Sequence, residues 1–178
     1  MGPARQAGGF GCKMEGGPLS SKALGIGRLA SDREVHKVTA YVTCEGQLLV
    51  FSQPAASEAG IQVPSGTVED GEQPHDAVVR ETNEETGLEG LRVERLLGTH
   101  TRHVTLPSGE LLPIHRHFFH LSWRGPIQAQ RWRHWELNPS FGAKGPIEFE
   151  LYWVPLARNV PKLEADLGDL LHEILPDA

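Results

Sequence analysis

Apolar and polar side chains alternate along residues 147–155 (IEFELYWVP), where Ile147, Phe149, Leu151 and Trp153 are interleaved with Glu148, Glu150 and Tyr152. A period of two places the first set on one face of a β-strand. The runs 37–43 (KVTAYVT) and 47–53 (QLLVFSQ) are rich in strand formers and flank Glu45-Gly46, which predicts a hairpin. A short strand is expected over Gly60 to Val63, leading into Pro64-Ser65-Gly66. Residues 91–105 (LRVERLLGTHTRHVT) predict a strand with a bend at Gly98, and residues 111–123 (LLPIHRHFFHLSW) its antiparallel partner across the Pro107-Ser108-Gly109 turn. Pro113 lacks a donor and so belongs near the start of that strand or on an edge.

Two stretches follow a helical period instead. Leu163, Leu167, Leu170, Leu171 and Ile174 recur at i, i+4, i+7, i+8 and i+11, which predicts an amphipathic helix from Pro161 to Leu175 that closes one side of the sheet. The second helix is bounded by Pro74, suited to a first helical position, and by Gly87, suited to the left-handed residue that ends a helix. It should run from Pro74 to Thr86. Val78, Val79, Thr82 and Thr86 give it a modest face to lay on a sheet. Glu81, Glu84 and Glu85 occupy the neighbouring sector at i, i+3 and i+4. Three like charges so placed repel, and an all-oxygen set of this kind suits a hard divalent ion, Mg²⁺ or Mn²⁺, over zinc.

Composition narrows the rest. A chain of 178 residues is most simply one domain with extra segments, and a net charge of −6 leaves no basic footprint for general nucleic-acid binding. Cys12 and Cys44 are the two cysteines, without framework spacing, which points to a reducing compartment. There is no apolar run of membrane-spanning length and no signal-peptide core, so the expectation is a soluble cytoplasmic protein. Residues 1–33 are rich in glycine without a clear period and are expected to form an irregular leader before a domain at 34–178. Met14 raises an over-long gene start, with residues 1–13 outside the native protein, and an arm that wraps a partner subunit is the functional alternative. His100, His103, His115, His117 and His120 do not share the face and spacing of a single tetrahedral metal site.

Taken together, Gly66, Glu72, Arg80, Glu81, Glu84, Glu85 and Gly87, followed by the aliphatic Leu88, stand at the spacing of the Nudix box, and the chain resembles the Nudix hydrolase family. At about 7% per residue, seven fixed matches in one register arise by chance on the order of once in 10⁸ trials. Thr82 departs softly from the box, which expects an aliphatic residue there; its hydroxyl requires a partner. The resemblance implies the Nudix fold, an α/β architecture with a mixed β-sheet sandwiched between helices. It also implies metal-dependent hydrolysis of a diphosphate bond in a nucleoside diphosphate linked to another moiety, with Mg²⁺ or Mn²⁺ as cofactor. Glu81, Glu84 and Glu85 match the metal-binding and base carboxylates, with Gly66 adding a backbone carbonyl. Arg80 and Glu72 match a pair that fixes the loop onto the helix.

Family members often place a further carboxylate outside the box, and Glu148 or Glu150 sits on a strand that could carry it. The segment 124–145 has the least regular pattern of the domain and interleaves Arg131, Trp132, Arg133 and Trp135, residue types that stack on a base and hold phosphates. These residues are candidates for substrate or homodimer contact. Two alternatives keep the fold without this reaction. One is a non-catalytic nucleotide-binding regulator; the other is a prenyl diphosphate isomerase using Cys44 and a glutamate.

Overall fold

The computed structural model describes residues 34–127, 129–137, 139, 145–157 and 160–176. The expected leader lies outside the described residues.

Among the described residues seven strands form one mixed sheet: β1 (Val35–Cys44), β2 (Gln47–Ser52), β3 (Ser65–Thr67), β4 (Arg92–Thr105), β5 (Leu111–Ser122), β6 (Arg131–Glu136) and β7 (Ile147–Pro155). The order is β4-β5-β1-β2-β7-β6, with β3 paired to β1. Glu45 and Gly46 both have positive φ, the turn a two-residue hairpin prefers. After Thr43↔Leu48 and Cys44↔Gln47 the two hairpin strands separate. β3 takes the vacated side of β1 through Lys37↔Thr67, Val38↔Gly66 and Thr39↔Ser65. This splay brings the glycine loop into the plane of the sheet. β1 and β5 run parallel, with Val35 opposite Ile114.

Among the described residues one α-helix, α1 (Pro74–Thr86), covers one face. Pro74 stands in its first turn, and Gly87, with φ 71°, ends it through a bond from its N–H to Asn83 O. The Thr82 hydroxyl finds its partner in Val78 O at 2.6 Å. Ala77 and Val78 pack on Val38, Ala40, Val42, Leu49, Phe51 and Phe149. The opposite face buries Tyr41, Leu48, Val50, Val63 and Phe118 under Leu163 and Leu167. Strict alternation in β1 and β2 supplies both cores.

Three expectations require correction. Gly60 to Val63 forms only isolated pairings, Phe51↔Gln62 and Ile61↔Leu163, and the regular strand comes after Pro64, at β3. The bend expected at Gly98, by contrast, is present as a register shift in β4 between Leu96 and Gly98, with a second between Val93 and Arg95. Residues 161–175, expected as an amphipathic helix, instead form turns and a short 3₁₀ segment, Leu171–Ile174. Backbone bonds to other elements pre-empt helical ones there. Glu164 N–H donates to Ile61 O at 2.8 Å, and Leu167 O accepts from the Tyr41 hydroxyl at 2.7 Å. Leu171 N–H, the α-helical donor to Leu167 O, goes to Gly168 O instead. The leucines still reach the core, so a helical spacing of apolar positions is satisfied without an α-helix.

The segment 124–145 holds the third. β6 pairs with β7 along Arg131↔Tyr152 to Glu136↔Ile147. Its period of two was hidden because polar groups, His134 and Glu136, occupy positions on the face toward α1 alongside Trp132.

Candidate active site

Arg80 is the hub that locks the loop onto α1. Its guanidinium grips Glu72 with two bonds, Nε to Oε1 at 2.9 Å and Nη2 to Oε2 at 2.8 Å. Nη2 also donates to Thr67 O at 3.1 Å. Nη1 lies 3.0 Å from Glu81 Oε1 and 3.2 Å from Glu84 Oε2. Glu72 is held below the ordinary carboxylate range by these bonds, and Arg80 is raised further by Glu72. Glu69 N–H donates to Glu72 Oε2 at 2.9 Å, so the loop closes on itself around the same carboxylate.

The loop amides receive two box carboxylates. Thr67 N–H donates to Glu81 Oε1 at 3.1 Å, and Ser65 N–H donates to Glu85 Oε2 at 2.9 Å. Gly66 lies between them, and a Cβ at that position would overlap the Glu81 carboxylate. Here the glycine is required for close approach, not for a special backbone angle. Glu81 and Glu85 are 2% and 7% exposed. Burial raises both, with repulsion from neighbouring carboxylates adding to it. Glu84 stays half exposed on the rim.

A fourth carboxylate, Glu136 at the end of β6, joins this cluster and was not singled out from sequence. It is 7% exposed. Burial first, then the charges of Glu81 and Glu84, push it up to about 7. It also adds to the upward shift of Glu85. The signal that could have found it was the alternation Trp132, His134, Glu136 against the neighbouring IEFELYWVP strand.

The remaining candidates are brought elsewhere. Glu148 and Glu150 lie on the sheet face away from α1, where Arg133 reaches Glu148 at 3.2 Å and Arg131 reaches Glu150 at 2.7 Å. The Arg131 guanidinium also sits 4.4 Å from the Tyr152 ring centre. Trp132 faces α1 instead, donates to Thr86 O at 3.2 Å and packs on Trp153. It lines an apolar pocket of about 310 Å³ with Leu88, Trp123 and Ile127.

Cys44 is buried, with its thiol 3.8 Å from Gly125 O. The box carboxylates bond to β3, opposite Lys37 to Thr39 of β1, so Cys44 is about 17 Å further along that strand.

The histidines are tied into separate networks. His117 Nε2 is 2.9 Å from His36 Nδ1, His36 Nε2 is 3.1 Å from Glu34, and Thr99 and Thr101 hold the Nδ1 atoms of His117 and His115. His120 meets Thr43, and His100 meets Asp169.

A family model described as NUDIX domain matches residues 35–174. The solution structure of the E. coli ORF135 protein is similar at a TM-score of 0.50 with 29% identity, over 82% of this chain and 91% of that one. The crystal structure of the MutT protein from Methanosarcina mazei Go1 is similar at 0.52 with 18% identity, over 80% and 94% of the two chains. A third, titled crystal structure of UDP-X diphosphatase, gives 0.52 with 20% identity over 82% and 64%. At such identities the last two speak for the fold alone.

Proposed function

The chain belongs to the NUDIX family, and from that premise we propose that it hydrolyses a diphosphate bond in a nucleoside diphosphate linked to another moiety. The observation that carries this reading is the gathering of four carboxylates: Glu81 and Glu85, bonded to the Ser65–Thr67 backbone, with Glu84 and Glu136 near enough for their charges to act on them.

Such a cluster fits a hard divalent cation on its own chemistry. The donors are all oxygen, and the like charges of Glu81, Glu84 and Glu136 repel one another and Glu85. Among the described residues no three His, Cys, Asp or Glu side chains already converge as a metal cage, in keeping with Glu81 and Glu85 being turned to loop amides. Glu81, Glu84, Glu85 and the Gly66 carbonyl would hold Mg²⁺ or Mn²⁺. When bound, these ions neutralise the diphosphate and lower the pKa of an attacking water.

The chain's own residues supply the rest. Arg80 and Glu72 fix the loop so that Gly66 and α1 keep one spacing. Glu136 is suited to take the proton of the attacking water, since it is a carboxylate brought beside Glu81, Glu84 and Glu85 from outside the loop and helix that would hold the cation. A prenyl diphosphate isomerase relying on Cys44 is disfavoured by the separation along β1. A regulator without activity is disfavoured by the intact carboxylates. No helix among the described residues is long and apolar enough to cross a membrane. Cytoplasmic localisation and assembly as a homodimer stay part of the proposal.

The test is release of phosphate or nucleotide from ADP-ribose, nucleotide sugars, dinucleoside polyphosphates, nucleoside di- and triphosphates and coenzyme A, with Mg²⁺ or Mn²⁺ and with a chelator. Chelator-sensitive turnover of one class supports the hydrolase and names its substrate. Binding of nucleotides without turnover across the panel would favour the regulator.

A further inference from the structure

The last turn of α1 presents carbonyls that the helix cannot pair by itself. Gly87 N–H takes Asn83 O at 2.9 Å. The next amide, Leu88 N–H, turns to the Thr86 hydroxyl at 3.1 Å and leaves Glu84 O to another donor. That donor is 50 residues away: His134 Nε2 lies 3.0 Å from Glu84 O. Two positions earlier on β6, Trp132 Nε1 donates to Thr86 O at 3.2 Å.

The imidazole also fills the space above Gly87, where a Cβ would come within 2.9 Å of His134 Cε1 and Nδ1. Gly87 is therefore constrained twice, by its left-handed backbone and by the ring lying on it. His134 and Glu136 are two residues apart on one strand and face α1 together. The strand that carries the fourth carboxylate is thus the same strand that caps the helix carrying the other three.

We infer that β6 is a clamp on α1, and that His134 is a positioning residue fixing the turn that bears Glu84 and Glu85 relative to Glu136. This rests on the hydrolase reading above. The bond to Glu84 O requires a proton on Nε2, so the neutral Nε2–H tautomer or the imidazolium serves, and the second form also complements the negative end of the helix. Misplacement of catalytic groups by about 1 Å costs on the order of 100-fold in rate, which sets the scale of what a loosened turn would do.

The experiment compares wild type with His134→Ala and His134→Gln, whose amide N–H can replace the donor. The readouts are kcat, KM and Mg²⁺ dependence on the substrate found in the panel, and hydrogen exchange at the Gly87 amide. The Ala variant is expected to lose roughly 10- to 100-fold in kcat with KM within about twofold, and to lose about tenfold or more of the exchange protection at Gly87. The Gln variant should recover most of both. An Ala variant that keeps wild-type kcat and Gly87 protection would overturn the clamp, and so would a loss that Gln does not rescue. If wild type turns over nothing, the hydrolase reading falls, and the exchange comparison alone then decides the clamp.

Discussion

Replacing Glu136 by Gln should make the metal-free protein more stable at alkaline pH while removing most of the activity of the Mg²⁺-loaded protein. Glu136 is 7% exposed, and burial followed by the charges of Glu81 and Glu84 pushes its carboxyl up to about 7 from an ordinary 4.5. The folded state therefore retains a proton over a range in which the unfolded chain has already released it. For a carboxyl shifted upward, the favourable contribution is complete below the unfolded value and is lost as pH rises through the folded one. The window of loss thus runs from about 4.5 to about 7. The full shift corresponds to roughly 3 kcal/mol, and relaxation of solvent at the mouth of the cleft reduces this to about 2 kcal/mol. For a domain of this size that is roughly 4–8 °C in Tm.

Thermal unfolding in a chelator, at about pH 5 and about pH 8, measures it. The two proteins should melt together at the lower pH, and the Gln variant should melt higher at the upper one. Adding Mg²⁺ should narrow the gap, because a bound cation offsets the repulsion in wild type. With Mg²⁺ restored, kcat should fall by about 10²–10⁴ if Glu136 takes the proton. A Gln variant that melts at or below wild type at alkaline pH would refute the electrostatic account, and unchanged kcat would refute the assignment of the base.

Other substitutions separate the parts of the site. Glu85→Gln should lower kcat by about 10³-fold or more without loss of fold, judged by circular dichroism; near-normal turnover would sink the metal mechanism. Gly66→Ala places a methyl group on the Glu81 carboxylate and should cost about 3 kcal/mol in urea unfolding, together with activity. Arg80→Lys keeps the charge but cannot reproduce the two-pronged bond to Glu72 and the bond to Thr67 O together, so a loss of about 1–3 kcal/mol is expected, and unchanged stability would argue against the hub. Tyr41→Phe removes the hydroxyl that binds Leu167 O and Leu170 N–H, and should cost about 1–3 kcal/mol with activity unchanged.

Much of this protein was legible along the chain. Pro74 and Gly87 fixed both ends of α1, Glu45-Gly46 fixed a hairpin, and the alternation in 147–155 fixed β7, because each depends on local backbone chemistry or on a period within one element. The spacing of the box likewise placed Glu72, Arg80, Glu81, Glu84 and Glu85 together, since the loop and helix that carry them are contiguous.

Only the tertiary structure decided what depends on distant segments meeting. The parallel pairing of β1 with β5, the insertion of β3 beside β1 and the conversion of residues 161–175 into turns all follow from hydrogen bonds to partners remote in sequence. Glu136 belongs to the same class. Its neighbours along the chain are a tryptophan and a leucine, and it becomes a member of the carboxylate cluster only because β6 pairs with β7 and lies against α1. Period and spacing report what a residue does within its own element. Burial, and the pKa that follows from it, is set by what the other elements bring to its side.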